Sequence, residues 1–277
     1  MARMTVKDLR EYLQRRRSVI VPLGTIEQHG YHLPVATDAI VAESLSCRVG
    51  ERTGVLVAPT IAAAFSGGSL PGTINISPAV MSLLVSDTLC SLAVQGFRNF
   101  YLVLGHGGSE NLTALQEALK NLLRSNPAFE QAMICLFPAW KFGPESTGWK
   151  KAFSEGDWHA GWLETSLVLA LAPELVRMEE LATDSPELME RLTAHPDSYQ
   201  HAEKIVDDPL VVPRMSERPD IEVGVMGYPE RASKELGEKL VAGMVANMAE
   251  KLDALEARAD GVYREVAFEL PKLVILE

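Results

Sequence analysis

Cysteine is scarce in this sequence, and the little that is present follows no pairing pattern. The three cysteines, Cys47, Cys90 and Cys135, lie far apart in apolar surroundings and form no C-x-x-C spacing. An odd and scattered set is typical of reduced core residues and argues against a disulfide framework. We therefore predict a cytoplasmic protein with three buried thiols.

Positive charge is also in short supply. The 277 residues include 26 lysines and arginines against 37 aspartates and glutamates, for a formal net charge of −11. Proteins that bind nucleic acids neutralise phosphates with a basic stripe or patch. This chain has only the basic cluster at 15–17, which ends a short amphipathic segment. The charge balance predicts that nucleic acid is not a partner.

Long apolar runs are absent as well. The opening stretch MARMTVKDLREYLQRRR has no apolar signal core, and no stretch approaches the roughly 18 uninterrupted apolar residues of a membrane span. No repeat or linker divides the chain, and its composition, 47% hydrophobic and 23% charged, is ordinary for a globular protein. We predict no membrane partner and a single domain over residues 1–277.

The sequence does contain a regular alternation of short β-branched runs with helix-period segments. Continuous apolar strands separated by helices are typical of a parallel sheet covered on both faces. The fold class predicted is α/β, a three-layer α/β/α sandwich with a mostly parallel central sheet. The predicted strands are 18–24, 54–61, 99–105 and 132–137, and the predicted helices are 38–52, 78–95 and 109–125.

The second half of the chain is less regular. A helix is predicted at 164–176, and a long terminal helix follows the turn in GVMGYP. Between them, residues 180–222 are polar and contain prolines, so a loop-rich excursion is predicted there. Structureless segments of this length are frequently functional, and this one has the reach to contact a neighbouring subunit.

Polar clusters follow the ends of the first and third predicted strands. In open parallel sheets, ligands bind at the carboxyl ends of the strands. Four of the six histidines fall in these two clusters and in a third that leads into a helix. The clusters are TIEQHGYHLPVATD (25–38), GHGGSEN (105–111) and EGDWHAGWLETS (155–166).

Imidazoles and carboxylates dominate these clusters, and this mixture suits Zn²⁺, Mn²⁺ or Fe²⁺. Glu27 and His29 are two residues apart, so both side chains project to one side of an extended segment. Asp38 follows after a turn, and its two oxygens are able to bridge two cations about 3.5–4 Å apart. His106 would enter from a neighbouring strand. The sequence therefore predicts a metal centre built from these four residues.

The remaining ligand position is open between two glutamates. Glu164 in the third cluster is the candidate, and Glu110, which follows GHGGS, is its rival. The segment GHGGSE has neither the G-x-G-x-x-G spacing nor the lysine of a phosphate-binding loop. Its glycines are interpreted as allowing the sharp turn behind His106.

Several of these polar residues also admit structural interpretations. Asp38 and Asp157 each precede or begin a predicted helix, where aspartate is a favoured N-cap. His32 competes with His29 for one ligand position; otherwise it hydrogen-bonds its own loop or meets the substrate. His195 and His201 lie in the polar excursion and are predicted to be structural or exposed.

Taken in order, the motifs resemble those of the creatininase (creatinine amidohydrolase) family. The matching stretches are VPLGTIEQHGYHLPVATD, GTINIS preceded by LP, GFRNFYLVLGHGGSEN, DWHAGWLETS and GVMGYP. The resemblance implies an α/β/α sandwich, a two-metal centre, hydrolysis of a C–N bond in a cyclic amide or formamide, and a homo-oligomer, commonly a hexamer. It places Glu27, His29, Asp38 and His106 on family metal ligands, with Asp38 as the bridge, and His159 on the histidine proposed to shuttle protons.

The chain departs from creatininase itself at two points. Creatininase has a glutamate two residues after the histidine of the second motif, where this chain has Gly108. The spacing of Trp140, Trp158 and Trp162 does not match the tryptophans that close the creatininase pocket. Members of the family also act on ring-opened purine or flavin-precursor formamides, on peptides and on keto-inositols, so the resemblance leaves the substrate open.

The predicted function is therefore metal-dependent hydrolysis of a small-molecule amide. Two divalent ions per subunit, Zn²⁺ and/or Mn²⁺ with Fe²⁺ as an alternative, would lower the pKa of water from about 15.7 towards about 7. His159, held by Asp157, would pass a proton to the leaving nitrogen. The predicted substrate contacts are His32, Gly107, Gly108 and Trp158.

Two other interpretations remain at this point. The same centre would also suit hydrolysis of a keto-inositol or of another carbocyclic or lactone substrate. Alternatively, the metal only stabilises an oligomer and the protein has no catalytic activity. A structural metal site has every coordination position filled by protein, whereas a catalytic site keeps one open.

Overall fold

A five-stranded parallel sheet forms the centre of the structure. The computed structural model describes residues 1–267, so residues 268–277 of the predicted single domain lie outside the described residues. The strand order is β2-β1-β4-β5, and β3 also pairs with β1. The strands are β1 (Ser18–Gly24), β2 (Leu56–Val57), β3 (Ile61–Ala62), β4 (Asn99–Leu104) and β5 (Met133–Pro138).

Helices cover both faces of this sheet. One layer contains α2, α6 and α8, and the other contains α3 and α4. The three-layer α/β/α class predicted from the alternation of elements is confirmed. The helices are α1 (Val6–Arg15), α2 (Thr37–Thr53), α3 (Pro78–Gln95), α4 (Ser109–Ser125), α5 (Trp149–Ser154), α6 (Trp162–Leu171), α7 (Pro186–Leu192) and α8 (Lys234–Glu256).

The alternation of side chains along the strands divides the core in two. Ile20 and Tyr101 face the α2, α6 and α8 layer, while Val21 and Leu102 face α3 and α4. Every residue of β1 is buried, as expected for a strand with helices on both faces. This double burial explains why β1 is a continuous apolar run in the sequence.

The boundaries of the elements agree with the predictions except where a proline intervenes. β1, α3 and α4 have the predicted limits. The strand predicted at 54–61 is instead divided into β2 and β3 around Pro59, because proline cannot donate a ladder hydrogen bond. The helix predicted to run to residue 176 ends at Leu171, just before Pro173.

The segment predicted to be loop-rich contains more structure than expected. It includes α7 and an antiparallel hairpin formed by β6 (Gln200–Glu203) and β7 (Arg214–Glu217). Each strand of the hairpin is four residues long and largely polar, so it gives no apolar periodicity in the sequence. The hairpin is nevertheless important, because its base contributes to the site described next.

The prediction of three buried thiols is wrong in one case. Cys90 and Cys135 are partly buried, but Cys47 is exposed, and all three are free. The buried face of α2 includes Leu45, Ser46 and Val49, and Cys47 lies off that face.

Candidate metal centre

The candidate site lies where β1 and β4 end beside each other. The chain after β1 carries Glu27 and His29, the chain after β4 carries His106, and the first turn of α2 carries Asp38. All four side chains meet at this edge of the sheet. The structure therefore brings together the four residues that the sequence singled out as metal ligands.

Two glycines let α2 start directly against the strand ends. Gly24 ends β1 and Gly105 follows β4, and a Cβ atom at either position would collide with the backbone at the start of α2. Since glycine lacks that atom, helix and strands can approach closely. This close approach places Asp38 in the site. The helix N-cap is Ala36, so Asp38 does not have the alternative role of an N-cap residue.

A first group of possible ligands consists of Glu27, Asp38 and His106. The Nδ1 atom of His106 lies 3.0 Å from Glu27 Oε2 and 3.0 Å from Asp38 Oδ2. Glu27 and Asp38 are both buried. An imidazole and two carboxylates in this arrangement have the chemistry and spacing of a divalent-cation site.

A second group lies on the other side of Asp38. The Nε2 atom of His29 is 3.4 Å from Asp38 Oδ1 and 3.6 Å from Glu164 Oε2. Glu164 is held in place by the backbone N–H of Ala160, which donates to Oε2 over 2.6 Å. Ala160 has a φ of 52°, and it is the only non-glycine residue with positive φ among residues 1–267. This strained backbone is found at the site itself, as is common for functional segments.

The environment of His29 fits a cation. Its Nδ1–H donates to the carbonyl oxygen of Glu27 over 3.1 Å, which leaves the lone pair on Nε2. Within the described chain this buried Nε2 atom has no hydrogen-bond partner, and the neighbouring groups are the carboxylates of Asp38 and Glu164. Acceptors that face one another in a buried site are stabilised by a cation held between them.

The electrostatics of the site agree with this interpretation. Burial alone would lower the pKa of His29, but the charge of Asp38 outweighs it and raises the pKa to about 10. Burial would likewise raise the pKa of Glu27, yet the neighbouring His106 and His159 lower it. The negative charge that raises the pKa of His29 would also favour a divalent cation.

His159 lies against this centre. Its ring is 4.2 Å from the ring of His29, measured between centroids. Its Nε2–H donates to the carbonyl oxygen of Gln28 over 2.7 Å, and Nδ1 lies 3.9 Å from Glu27 Oε1. His159 also forms a possible ligand group with His29 and Glu164. Its free nitrogen therefore faces the ligands, where it is placed either to bind metal or to move a proton.

The structure does not pair Asp157 with His159 in the way that the sequence suggested. The carboxylate of Asp157 accepts from the backbone N–H groups of Trp162, Leu163 and Tyr228, over 2.9–3.0 Å. Burial raises the pKa of Asp157 to about 6. The residue thus anchors the start of α6, and the carbonyl oxygen of Gln28 takes the orienting role expected of it.

His32 is also placed differently from its predicted contact with substrate. It is buried outside the cavity described below, and its Nε2 atom lies 2.9 Å from Thr165 Oγ1. Because Thr165 follows Glu164 on α6, His32 links the 25–38 segment to that helix. His195 is exposed and His201 is partly exposed, as predicted.

A cavity of about 360 Å³ opens onto the two ligand groups. Its lining includes three of the predicted substrate contacts, Gly107, Gly108 and Trp158. Glu110 also lines the cavity but is exposed and belongs to neither ligand group. Between the two glutamates that the sequence left open, the geometry thus favours Glu164 as a ligand.

Sequence reasoning missed much of the cavity wall. Residues from 65–68 and from the base of the hairpin line it, among them Ser66, Tyr199 and Glu217. These segments carry no metal-ligand motif and lie far from the three polar clusters in the chain. The unusual length of the polar excursion at 180–222 pointed to the hairpin, whereas residues 65–68 gave no signal.

Comparison with known proteins gives a consistent result. A family model described as creatinine amidohydrolase (Creatininase) matches residues 2–252. The chain is 27% identical over 248 residues to a creatinine amidohydrolase of Pseudomonas putida, covering 84% of this chain and 88% of that protein. It is 29% identical over 257 residues to a mycofactocin precursor peptide peptidase of Mycolicibacterium smegmatis, covering 88% and 87%. It is 27% identical over 192 residues to a 3-dehydro-scyllo-inosose hydrolase of Thermotoga maritima, covering 66% and 59%.

Solved structures are similar over nearly the whole chain. A crystal structure of creatinine amidohydrolase superimposes with a TM-score of 0.74 at 26% identity, covering 94% of this chain and 97% of that one. A manganese form of creatininase and a zinc–zinc form of a creatininase variant both superimpose with a TM-score of 0.73 at 25% identity, each covering 94% and 98%. The shared fold extends across all three layers.

Proposed function

Since the chain belongs to the creatininase (creatinine amidohydrolase) family and is a hydrolase, we propose that two divalent metal ions at the described site support its reaction. The reaction proposed is hydrolysis of a C–N bond in a cyclic amide or formamide. One observation carries the proposal. The two oxygens of Asp38 face two adjoining ligand groups at one cavity, and a shared carboxylate is the usual bridge of a two-metal hydrolase.

The assignment of ligands follows the contacts. Glu27, His106 and Oδ2 of Asp38 would hold one ion, and His29, Glu164 and Oδ1 of Asp38 would hold the other. Zn²⁺ and Mn²⁺ are the preferred ions, since both accept mixed imidazole and carboxylate ligands and related creatininase structures are described with zinc or manganese. When bound, such ions activate water and polarise a carbonyl oxygen.

The chain itself supplies proton transfer and positioning. The Gln28 carbonyl oxygen fixes the ring of His159, so Nδ1 is free to take a proton and return it to the leaving nitrogen. Backbone amides at Gly107 and Gly108 line the cavity beside His106 and are suited to stabilise a developing oxyanion. Asp157 accepts from the first backbone N–H groups of α6 and so positions this helix and Glu164.

The similarity to an inosose hydrolase favours a second substrate class, a keto-inositol or another carbocyclic compound. Such a substrate would use the same ligands with a different cavity wall. The peptidase relatives add peptide amides to the range that deserves assay. A purely structural role for the metal is disfavoured, because the ligand groups open onto a cavity large enough for a small molecule.

Metal content tests the proposal directly. We expect wild-type protein purified without chelator to contain close to two divalent ions per chain by elemental analysis. Glu164→Gln should lower this to about one, whereas Glu110→Gln, which changes a glutamate outside both ligand groups, should retain two. Absence of bound metal after addition of Zn²⁺ or Mn²⁺ would rule out the mechanism, and loss of an ion from Glu110→Gln would reassign the last ligand.

We also propose a homo-oligomer, with a hexamer expected from the family resemblance. By length and composition alone, α3 is apolar enough to cross a membrane, but Met81, Val85 and Leu89 on one face pack into the core. On its outer face Leu83 is 66% exposed and Val94 is 80% exposed. Burial of this outer face against another copy would remove the apolar surface from water.

A cytoplasmic location is proposed on the basis of the thiols. All three cysteines are free, and one is exposed, which suits a reducing compartment. Fractionation of cells that express the chain tests this; recovery outside the cytoplasm would contradict it.

A further inference from the structure

The cavity above the metal centre has two chemically different walls. The first, the aromatic wall, follows β5 and includes Trp140, Trp149, Phe153 and Trp158. The ring of Phe153 lies edge-on to Trp149 at 5.1 Å and stacks on Trp158 at 5.8 Å, between centroids. Trp149 donates from Nε1 to the carbonyl oxygen of Trp140 over 2.6 Å. The side chains of this wall carry no charge.

The second, the acidic wall, is formed by Glu110 at the start of α4 and by Asp197 and Glu217 at the base of the hairpin. Hydrogen bonds with the 65–69 segment hold it together. Glu217 accepts from the N–H and hydroxyl of Ser69 over 2.6 and 2.7 Å. The Tyr199 hydroxyl beside it donates to the carbonyl oxygen of Ser66 over 3.0 Å.

No lysine or arginine of residues 1–267 balances the charge of the acidic wall, although the exposed His195 lies 3.9 Å from Asp197, measured from Nδ1 to Oδ2. None of the described residues that line the cavity is a lysine or an arginine. Within residues 1–267, no lysine or arginine lies within 4.0 Å of the carboxylates of Glu110, Asp197 or Glu217. Burial, followed by the charges of Glu110, Glu27 and Asp197, raises the pKa of Tyr199, so the negative potential extends into the cavity.

Metal ions would compensate the ligand carboxylates but not this wall. Glu110, Asp197 and Glu217 belong to neither ligand group, so their charge remains when the centre is loaded. A cavity with one sign of charge selects its ligands by charge and raises the local concentration of the opposite sign. A substrate that matches this cavity therefore carries a positive charge at one end only.

We infer that the substrate is a small amide or formamide with a cationic group, such as a protonated amine, that faces the acidic wall. An uncharged apolar part faces the aromatic wall, and the bond to be cleaved lies between the two. Substrates with a carboxylate in the place of the cation are disfavoured. This inference rests on the proposed function and gives it a substrate class.

Three matched hydroxamates test the inference. The hydroxamate group would bind the metal centre, and the group at the other end of the alkyl chain would contact the acidic wall. The probes are the hydroxamates of aminohexanoate, hydroxyhexanoate and adipate, which end in a cation, a neutral group and an anion. Calorimetric titration of metal-loaded protein at low salt should give a dissociation constant about threefold to fivefold lower for the cationic probe than for the neutral one. The anionic probe should bind more weakly than the neutral one, and high salt should reduce these differences.

A variant and a matched control locate the effect. Glu110→Gln should weaken binding of the cationic probe several-fold and leave the neutral probe unchanged. Glu117→Gln changes an exposed glutamate further along the same helix, outside the cavity, and should alter neither. Both positions are exposed, so both variants should fold, and thermal melting checks this.

The outcomes separate this inference from the function on which it rests. If the neutral probe binds and the cationic probe binds no better, the inference is overturned while the metal centre stands. Tightest binding of the anionic probe would overturn it too. If none of the three binds metal-loaded protein, the proposed function fails, and the inference fails with it.

Discussion

His159 presents one ring nitrogen to a carbonyl oxygen and the other to the ligand cluster, and this orientation makes its role testable. We expect His159→Ala to retain both metal ions and to lose turnover by roughly 10²–10⁴-fold, the usual contribution of a general acid–base residue. His29→Ala, which removes a proposed ligand, should lose metal as well as activity. Metal analysis and kinetics on the same samples distinguish the two roles. Loss of metal from His159→Ala would make this residue a ligand.

His32 gives a prediction for stability against pH. Burial, followed by the charge of His29, lowers the pKa of His32 from 6.5 to about 4. As pH falls below 6.5, the imidazole of the unfolded chain takes up a proton before that of the folded chain, so stability decreases until about pH 4. At pH 5 the cost through His32 is about 2 kcal/mol relative to pH 7.

Urea unfolding of wild type and His32→Gln at pH 7 and pH 5 measures this cost. The loss of stability between the two pH values should be smaller in the variant by about that amount. Equal losses in the two proteins would show that His32 is not held neutral in the folded state.

At the scale of residues, the meeting of the proposed metal ligands was predictable, and the hydrogen-bond partner of His159 was not. Glu27, His29, Asp38 and His106 follow strand ends, and in a parallel sheet those ends share one edge. Asp157 is two residues before His159 and looked like its partner. Its carboxylate instead accepts from the backbone N–H of Trp162 at the start of α6, five residues further on. The spacing of residues in the sequence does not reveal such a contact.

At the scale of elements, Glu256 fastens the end of α8 to the beginnings of β1 and β4. Its carboxylate accepts from the Ser18 hydroxyl, the Asn99 side-chain amide and the Tyr101 hydroxyl over 2.7–2.9 Å. Glu256→Ala should lower the free energy of unfolding by roughly 3 kcal/mol, because it leaves buried donors without a partner. Denaturant titration measures this loss.

The distance between the Glu256 contacts and the proposed metal ligands provides a control for that experiment. The Glu256 contacts lie at the opposite end of β1 and β4 from the metal ligands, so Glu256→Ala should keep its metal content. Glu250→Ala, which changes an exposed residue of the same helix, should leave stability nearly unchanged. A similar loss in both variants would contradict the proposed contribution of the Glu256 contacts.

The elements themselves were predictable in proportion to how much apolar surface they bury. β1 and β4 give clear patterns because helices cover both faces of the sheet. α3 begins at Ser77, whose side chain accepts from the backbone N–H of Val80. The hairpin was missed because its short strands are polar and half exposed. The division between β2 and β3 depends on Pro59, whose effect requires knowing that both strands pair with β1.

At the scale of the whole molecule, the outer face of α3 leads to a prediction about assembly. Leu83→Glu places a charge at its most exposed leucine and should shift the proposed oligomer toward smaller species. The expected weakening is at least about tenfold, since burial of a leucine contributes about 1.5–3 kcal/mol. Light scattering after size exclusion measures the shift.

A matched charge change on another helix completes this experiment. Lys7→Glu on α1 alters an exposed polar residue and should leave the mass of the assembly unchanged. If wild type is a monomer at micromolar concentration, or if Leu83→Glu keeps the wild-type mass, α3 does not form the interface.

The cavity as a whole was beyond sequence reasoning. Its walls combine residues that lie far apart in the chain, such as Ser66, Trp149 and Glu217. Which segments meet depends on where the hairpin packs against the rest of the chain, and no local pattern encodes that contact. The proposed metal centre could be anticipated because Glu27, His29 and His106 follow strand ends that share one edge of the sheet.

The position of the hairpin has an evolutionary consequence. The proposed metal ligands belong to the sheet edge and the helices beside it, whereas Asp197 and Glu217 belong to a segment that contributes nothing to either ligand group. Mutations in that segment can therefore change which substrate binds in the cavity while the proposed metal ligands remain intact. Relatives named for creatinine, for a peptide and for an inosose are the kind of divergence that such a separation permits.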